Sequence, residues 1–334
     1  MRPRRSAQLP PDHPPVLLVV VDTEEAFDWS GEFSRDNIDV SAMGSVQRAQ
    51  SLVEEFGITP TYVVDYPVAS QPEGSEPLRE LAAAGRASIG AHLHPWVSPP
   101  FEETLGAANS FPGNLPDHLE LAKLRSTVEA IEQNIGTRPV IYQAGRYGIG
   151  PNTDRILEEL GFEVDFSVSP PFDYRAQGGP DFSGFEPGPY WFGSERKLLG
   201  LPLTGAFVGF AGPASRGVYR LATSPPGMAL HAPGVLSRVG AVERMRLSPE
   251  GYTLEDNVRL TRALRKDGLG TFVLSFHSPS MKPGCTPYVN SQADLDALLD
   301  CMRRYFEWFL KELGGVTLTP LQLRERLQAG EATA

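Results

Sequence analysis

The residues best suited to chemistry stand at the ends of apolar runs. In Ser88-Ile89-Gly90-Ala91-His92-Leu93-His94-Pro95-Trp96, two histidines lie two positions apart. Alternate side chains on a strand share a face. His92 and His94 can therefore reach one metal ion while Leu93 packs the other way. Pro95 ends the strand, and Trp96 is placed to wall a sugar-sized pocket. The run Val19-Val20-Val21-Asp22-Thr23-Glu24 ends in two carboxylates at the same spacing. Asp22 and Glu24 suit a metal ligand and a general base. They also suit the acid and nucleophile of a glycosidase, a reading that leaves the histidine pair without a purpose.

His277 follows the apolar run Phe272-Val273-Leu274-Ser275-Phe276 and is placed for acid–base work. Arg146 and Tyr147 lie between glycines in Gly145-Arg146-Tyr147-Gly148. A guanidinium there can hold a catalytic carboxylate or a substrate anion. Asp165 sits inside the apolar stretch 162–168 and needs a partner if buried. Arg146 is one candidate for it. Tyr190, Trp191 and Tyr288 join Trp96 as aromatic rings that either stack on a sugar or pack in the core.

The elements that must position these groups alternate. Apolar runs predict strands over 16–21, 61–64, 87–91, 140–143, 163–167, 197–201, 271–276 and 316–318. Helical patterns fall over 42–56, 76–84, 115–135, 153–160, 254–266, 291–313 and 321–328. Gly57, Gly85, Gly136, Gly161 and Gly268 follow helical runs, as left-handed helix ends require. Strand–helix alternation with non-alternating strands means parallel β. Seven or eight such units predict a closed (β/α) barrel, with an open sheet as the alternative; barrel chemistry sits at the C-terminal ends of the strands. The stretch 170–250 is rich in Pro and Gly and reads as a loop-rich insert covering the site. The organisation expected is a flexible arm over 1–14, one domain over 15–328 and a disordered tail over 329–334.

Composition narrows the functions. The chain has 334 residues, 30 Lys+Arg against 41 Asp+Glu, and a formal net charge of −11. That balance argues against nucleic-acid binding and weakens binding to anionic membranes. Only two cysteines are present, Cys285 and Cys301, so no disulfide framework is expected. The N-terminal arginines precede an apolar run too short for a secretory leader, and no stretch is long enough to span a membrane. The location expected is cytoplasmic.

In this order, the segments VDTE at 21–24, GAHLHPW at 90–96, AGRYG at 144–148, VDFSV at 164–168 and SFHSPS at 275–280 resemble the polysaccharide deacetylases. These are the NodB-homology carbohydrate esterases, and the likeness is nearest to their divergent WalW/WbmS-like branch. The resemblance runs from about Val16 to Leu318. It implies a distorted (β/α) barrel of about seven parallel strands. It implies a hydrolase that removes N-acetyl groups from amino sugars with a divalent metal, most often zinc, with Fe, Co, Ni or Mn as alternatives. Carried over, Asp22 is the base and Glu24, His92 and His94 hold the metal. Arg146 orients the base, and His277 is the general acid. Trp96 and Tyr147 fall at the substrate. Two spacings differ from the family pattern: Thr23 separates the two carboxylates, and the histidines are two residues apart rather than four. A small C–N amide, as in allantoinase-like relatives, is the alternative substrate. A non-catalytic saccharide-binding relative is the alternative role.

Overall fold

The computed structural model describes residues 4–195, 197–212 and 215–332. Its strands are β1 (Arg5–Ser6), β2 (Val16–Thr23), β3 (Thr61–Val64), β4 (Ser88–Leu93), β5 (Ile141–Ala144) and β6 (Val164–Asp165). They continue as β7 (Tyr190–Phe192), β8 (Leu198–Gly200), β9 (Gly205–Val208), β10 (Glu243–Arg246), β11 (Thr271–His277) and β12 (Val316–Thr317). All eight runs read as strands from the sequence form strands. The main sheet has the order β1-β7-β8-β6-β5-β4-β3-β2-β11, with β12 beside the start of β2. From β8 through β11 its neighbours are parallel. The sheet curls into the half-barrel of a NodB-like (β/α) fold. Single hydrogen bonds rather than a ladder bridge its open side. Thr204 N–H donates to the Val273 carbonyl (3.4 Å), and Ser275 N–H donates to the Leu247 carbonyl (3.2 Å).

Alternation along β2 sorts its side chains to two cores. Leu17, Val19 and Val21 join the large cluster that the helices cover. Val16, Leu18 and Val20 point to the barrel interior, with Val63, Ile141, Val164 and Val273. Leu323 and Leu327 of the last helix, Pro320–Ala332, belong to the same interior cluster. Asp22 continues the interior series, so the barrel turns from apolar to ionisable at its C-terminal mouth. The five glycines read as helix ends all have positive φ, from 65° to 91°.

The terminal segments and the insert depart from expectation. Arg5 and Ser6 pair with Trp191 and Tyr190, and Ala7 is buried, so the middle of the supposed loose arm is a sheet edge. The last helix runs to Ala332, into the supposed tail. The region 170–250 holds four strands and the short helices Ser215–Ala222, Pro225–Ala229 and Ala232–Arg238. Its prolines and glycines break elements into short pieces rather than preventing them. Both cysteines are free thiols. Among the described residues no helix is long and apolar enough to cross a membrane.

Candidate active site

Register brings the chemistry together. β2 and β11 lie parallel with His277 opposite Asp22, and β4 and β5 place His92 opposite Gln143. Glu24 lies one residue beyond β2, where its N–H donates to Ser278 Oγ (3.3 Å). Gly145, just past β5, permits close approach to β4. A Cβ there would collide with the Leu93 carbonyl and the His94 ring.

Three ligand atoms form a buried triangle. His92 Nε2 and His94 Nε2 are 3.1 Å apart, and Glu24 Oε2 lies 3.5 Å from the first and 3.4 Å from the second. A tetrahedral zinc with bonds of about 2.0–2.1 Å needs ligand atoms roughly 3.3 Å apart. The ring protons are placed for the same end. His92 Nδ1–H donates to the Gln143 carbonyl (3.0 Å), and His94 Nδ1–H donates to Glu25 Oε2 (2.9 Å). Both Nε2 atoms then turn lone pairs toward one point beside a carboxylate. That arrangement repels itself without a cation and fits a divalent metal.

The shell behind the triangle was not read from the sequence. Glu25 accepts from Trp96 Nε1 (2.9 Å) as well as from His94, and its N–H donates to Asp65 Oδ2 (3.0 Å). Asp65 also accepts from Val68 N–H at the start of the next helix (2.9 Å). Burial pushes Glu25 up to about 8. Burial, and then the charge of Glu25, hold Asp65 well above the usual carboxylate range. Burial lowers His94, which favours the neutral imidazole that a metal needs.

Asp22 and His277 form the second half of the site. His277 Nε2 lies 3.6 Å from Asp22 Oδ2, which accepts from Gln143 Nε2 (2.7 Å). Asp22 Oδ1 is buried with no hydrogen-bond partner among the described residues. Burial raises the Asp22 pKa, against the pull of His277. His277 Nδ1 donates to Glu250 Oε2 (2.7 Å), and Glu250 Oε1 accepts from His277 N–H (3.1 Å) and Ser280 Oγ (2.5 Å). Burial opposes a charge on His277, but the Glu250, Glu24 and Asp22 carboxylates outweigh it and raise its pKa to about 10. Trp29 packs edge-on against the His277 ring, 4.7 Å between centroids.

These groups line a cavity of about 440 Å³. Arg146 and Tyr147 also line it, on a strained turn with φ of 53° and 59°. Two successive non-glycine residues in the left-handed region cost on the order of 1–3 kcal/mol each and cluster at functional sites. The expected pairing of Arg146 with Asp22 is not formed. Its guanidinium reaches Ser110 Oγ and Gln177 Oε1 instead, over the Phe111 ring. The turn carries it away from β2, and Gln143 holds Asp22 in its place. Asp165 does not meet Arg146 either. It accepts from Ser167 N–H (3.1 Å) and Oγ (2.5 Å), and burial raises its pKa to about 7.

The aromatic candidates divide. Trp96 lines the cavity but is only 1% exposed, stacked on His94, so it supports the triangle of Glu24, His92 and His94 more than it offers a face to a sugar. Tyr288 lines the cavity and is half exposed, whereas Tyr190 and Trp191 belong to β7 and the core. Of the insert arginines, Arg175 pairs with Asp173 (2.7 Å) and Asp181 (3.2 Å). Arg216 and Arg220 are exposed outside this cavity, and Arg196 lies outside the described residues. Among the described residues the insert cation that does enter the cavity is Arg246, which sequence reasoning missed.

No family model matches the chain, and no curated protein matches it. Solved structures do match in fold. A protein from Mycobacterium smegmatis described as a polysaccharide deacetylase aligns over 97% of this chain and 96% of its own, at 19% identity and a TM-score of 0.54. Puue allantoinase aligns over 94% of this chain and 90% of its own, at 17% identity and a TM-score of 0.53. The chain shares its fold with both.

Proposed function

We propose that the chain is a metal-dependent amidohydrolase that removes the N-acetyl group from an amino sugar in a saccharide or sugar precursor. The observation that carries this reading is the triangle of Glu24, His92 and His94, with Asp22 and His277 meeting beside it. A divalent ion held by that triangle, best matched by zinc, would supply Lewis acidity to a water and to the amide carbonyl. Asp22, positioned by Gln143, takes the proton from the attacking water. His277 enters charged and gives its proton to the departing amine, which without it is a very poor leaving group. Glu250 fixes the tautomer and orientation of His277. Glu25 and the Gln143 carbonyl orient the two imidazoles.

A small C–N amide is the second reading. The near-equal fold match to an allantoinase and a cavity of about 440 Å³ favour it. Both readings share one test. Elemental analysis of the purified chain is expected to give about one equivalent of divalent metal, and His92→Ala and His94→Ala are each expected to lose it. Acetate release from N-acetylated saccharides then separates the glycan from the small amide. A wild-type chain that takes up no metal after reconstitution refutes the hydrolase and leaves a saccharide-binding relative of the fold.

A further inference from the structure

Surface arginines of this acidic chain find carboxylates: Arg86 pairs with Glu54, Arg303 with Glu55 and Arg155 with Asp117. The two arginines of the cavity do not. Arg246, at the end of β10, donates from Nη1 to Tyr147 Oη (2.7 Å) and from Nη2 to Tyr174 Oη (2.8 Å) and Ser169 Oγ (2.9 Å). Its Nε is buried without a partner, and Tyr147 and Phe172 stack on the guanidinium at 4.7 and 4.5 Å. Arg146 is likewise held by a serine and an amide oxygen over an aromatic ring. Among the described residues no carboxylate makes an ion pair with either. A buried charge without a counter-charge is costly. Neutral hydroxyls orient such a cation without neutralising it.

We propose that Arg246, assisted by Arg146, is a receptor for an anionic group on the substrate, a carboxylate or a phosphate carried by the saccharide. A guanidinium offers five N–H donors, and three on Arg246 are taken. The two left, one on the buried Nε and one on Nη1, lie on different edges of the guanidinium, so an oxyanion meets the Nη1 proton singly or takes the place of a hydroxyl on Nη2. Arg246, Ser248 and Glu250 all line the cavity at alternate positions. One stretch of chain therefore presents the anion receptor at one end and the carboxylate that orients His277 at the other. Four residues span at most about 13 Å, which leaves room for a sugar ring between the anion and the reacting amide. The substrate class rests on the hydrolase reading. The anion site does not, because it is tested by binding alone.

The test is calorimetry on the full chain, stripped of metal and dialysed free of chelator, at low salt. The probes are D-glucuronate, glucose 1-phosphate and uncharged glucose. At least one anion is expected to bind tenfold or more tighter than glucose. A carboxylate preference points to a uronate, and a phosphate preference to a sugar phosphate. Arg246→Gln is expected to lose at least tenfold for the anion and nothing for glucose. Arg246→Lys, which keeps the charge but not the fork, should fall between, and it carries the test if the glutamine variant does not fold. Anions that bind no better than glucose overturn the proposal, as does a folded Arg246→Gln chain that binds them like the wild type.

Discussion

The wall formed by β2, β4 and β11 and the wall formed by Arg146, Tyr147 and Arg246 face one cavity but treat charge differently. On the first wall nearly every ionisable group has a partner behind it. Glu25 backs His94, the Gln143 carbonyl backs His92, its amide backs Asp22, and Glu250 backs His277. On the second wall two guanidiniums rest on hydroxyls, an amide and aromatic faces. Preorganised partners hold catalytic groups where charge develops during a reaction. Uncompensated charge waits for an opposite charge to arrive from outside. On the proposed reading, the difference separates a wall that does chemistry from a wall that selects what is brought to it.

Removing a backing charge from the first wall is expected to have the larger effect. Glu250→Gln keeps an acceptor for His277 Nδ1 but removes the carboxylate. The carboxylates around His277 raise its pKa to about 10 against the effect of burial. Without Glu250 that pKa falls, so His277 loses its proton at lower pH. Turnover is expected to drop by about 10²–10⁴, with the basic limb of the pH–rate profile moved toward acid and metal content unchanged. An unmoved basic limb would show that His277 is not the acid.

Glu25→Gln tests the same wall one step from the metal. It leaves Trp96 and His94 their neighbour but replaces the carboxyl oxygen that the His94 ring proton meets with an amide oxygen. Loss of such a backing carboxylate costs roughly 10–100-fold in metal affinity. Competition with a chromogenic chelator measures it. Affinity equal to the wild type would mean that Asp65, 3.8 Å from His94 Nδ1, does the orienting.

The two walls also differ in how far the sequence revealed them. Strand ends were readable because mostly apolar runs stop at Asp22, His92 and His277, and alternation then assigns the face. The backing residues were not. Glu250 meets His277 from 27 positions upstream, from the end of an insert with no periodicity. Glu25 follows Glu24 directly, but past the end of β2 the alternation no longer says where it points. Gln143 carried a usable signal, a polar residue interrupting a buried strand, which the neighbouring arginine overshadowed. Arg146 was misassigned because a motif position fixes the residue but not the turn. Two left-handed residues in succession carry its guanidinium to Ser110 and Gln177.

The smallest effect is expected where the second wall can be altered without touching its charge. Tyr147→Phe removes the acceptor for Arg246 Nη1 and keeps the ring that stacks on the guanidinium. One hydrogen bond to a charged group contributes about 1.5–3 kcal/mol, less where the freed donor finds water or substrate instead. If this wall only selects, the loss is felt equally by bound substrate and transition state. KM should rise by up to about tenfold while kcat stays within about twofold. Metal content should not change. A fall in kcat at constant KM would put Tyr147 among the groups that act on the transition state, and the division between the two walls would fail at that residue.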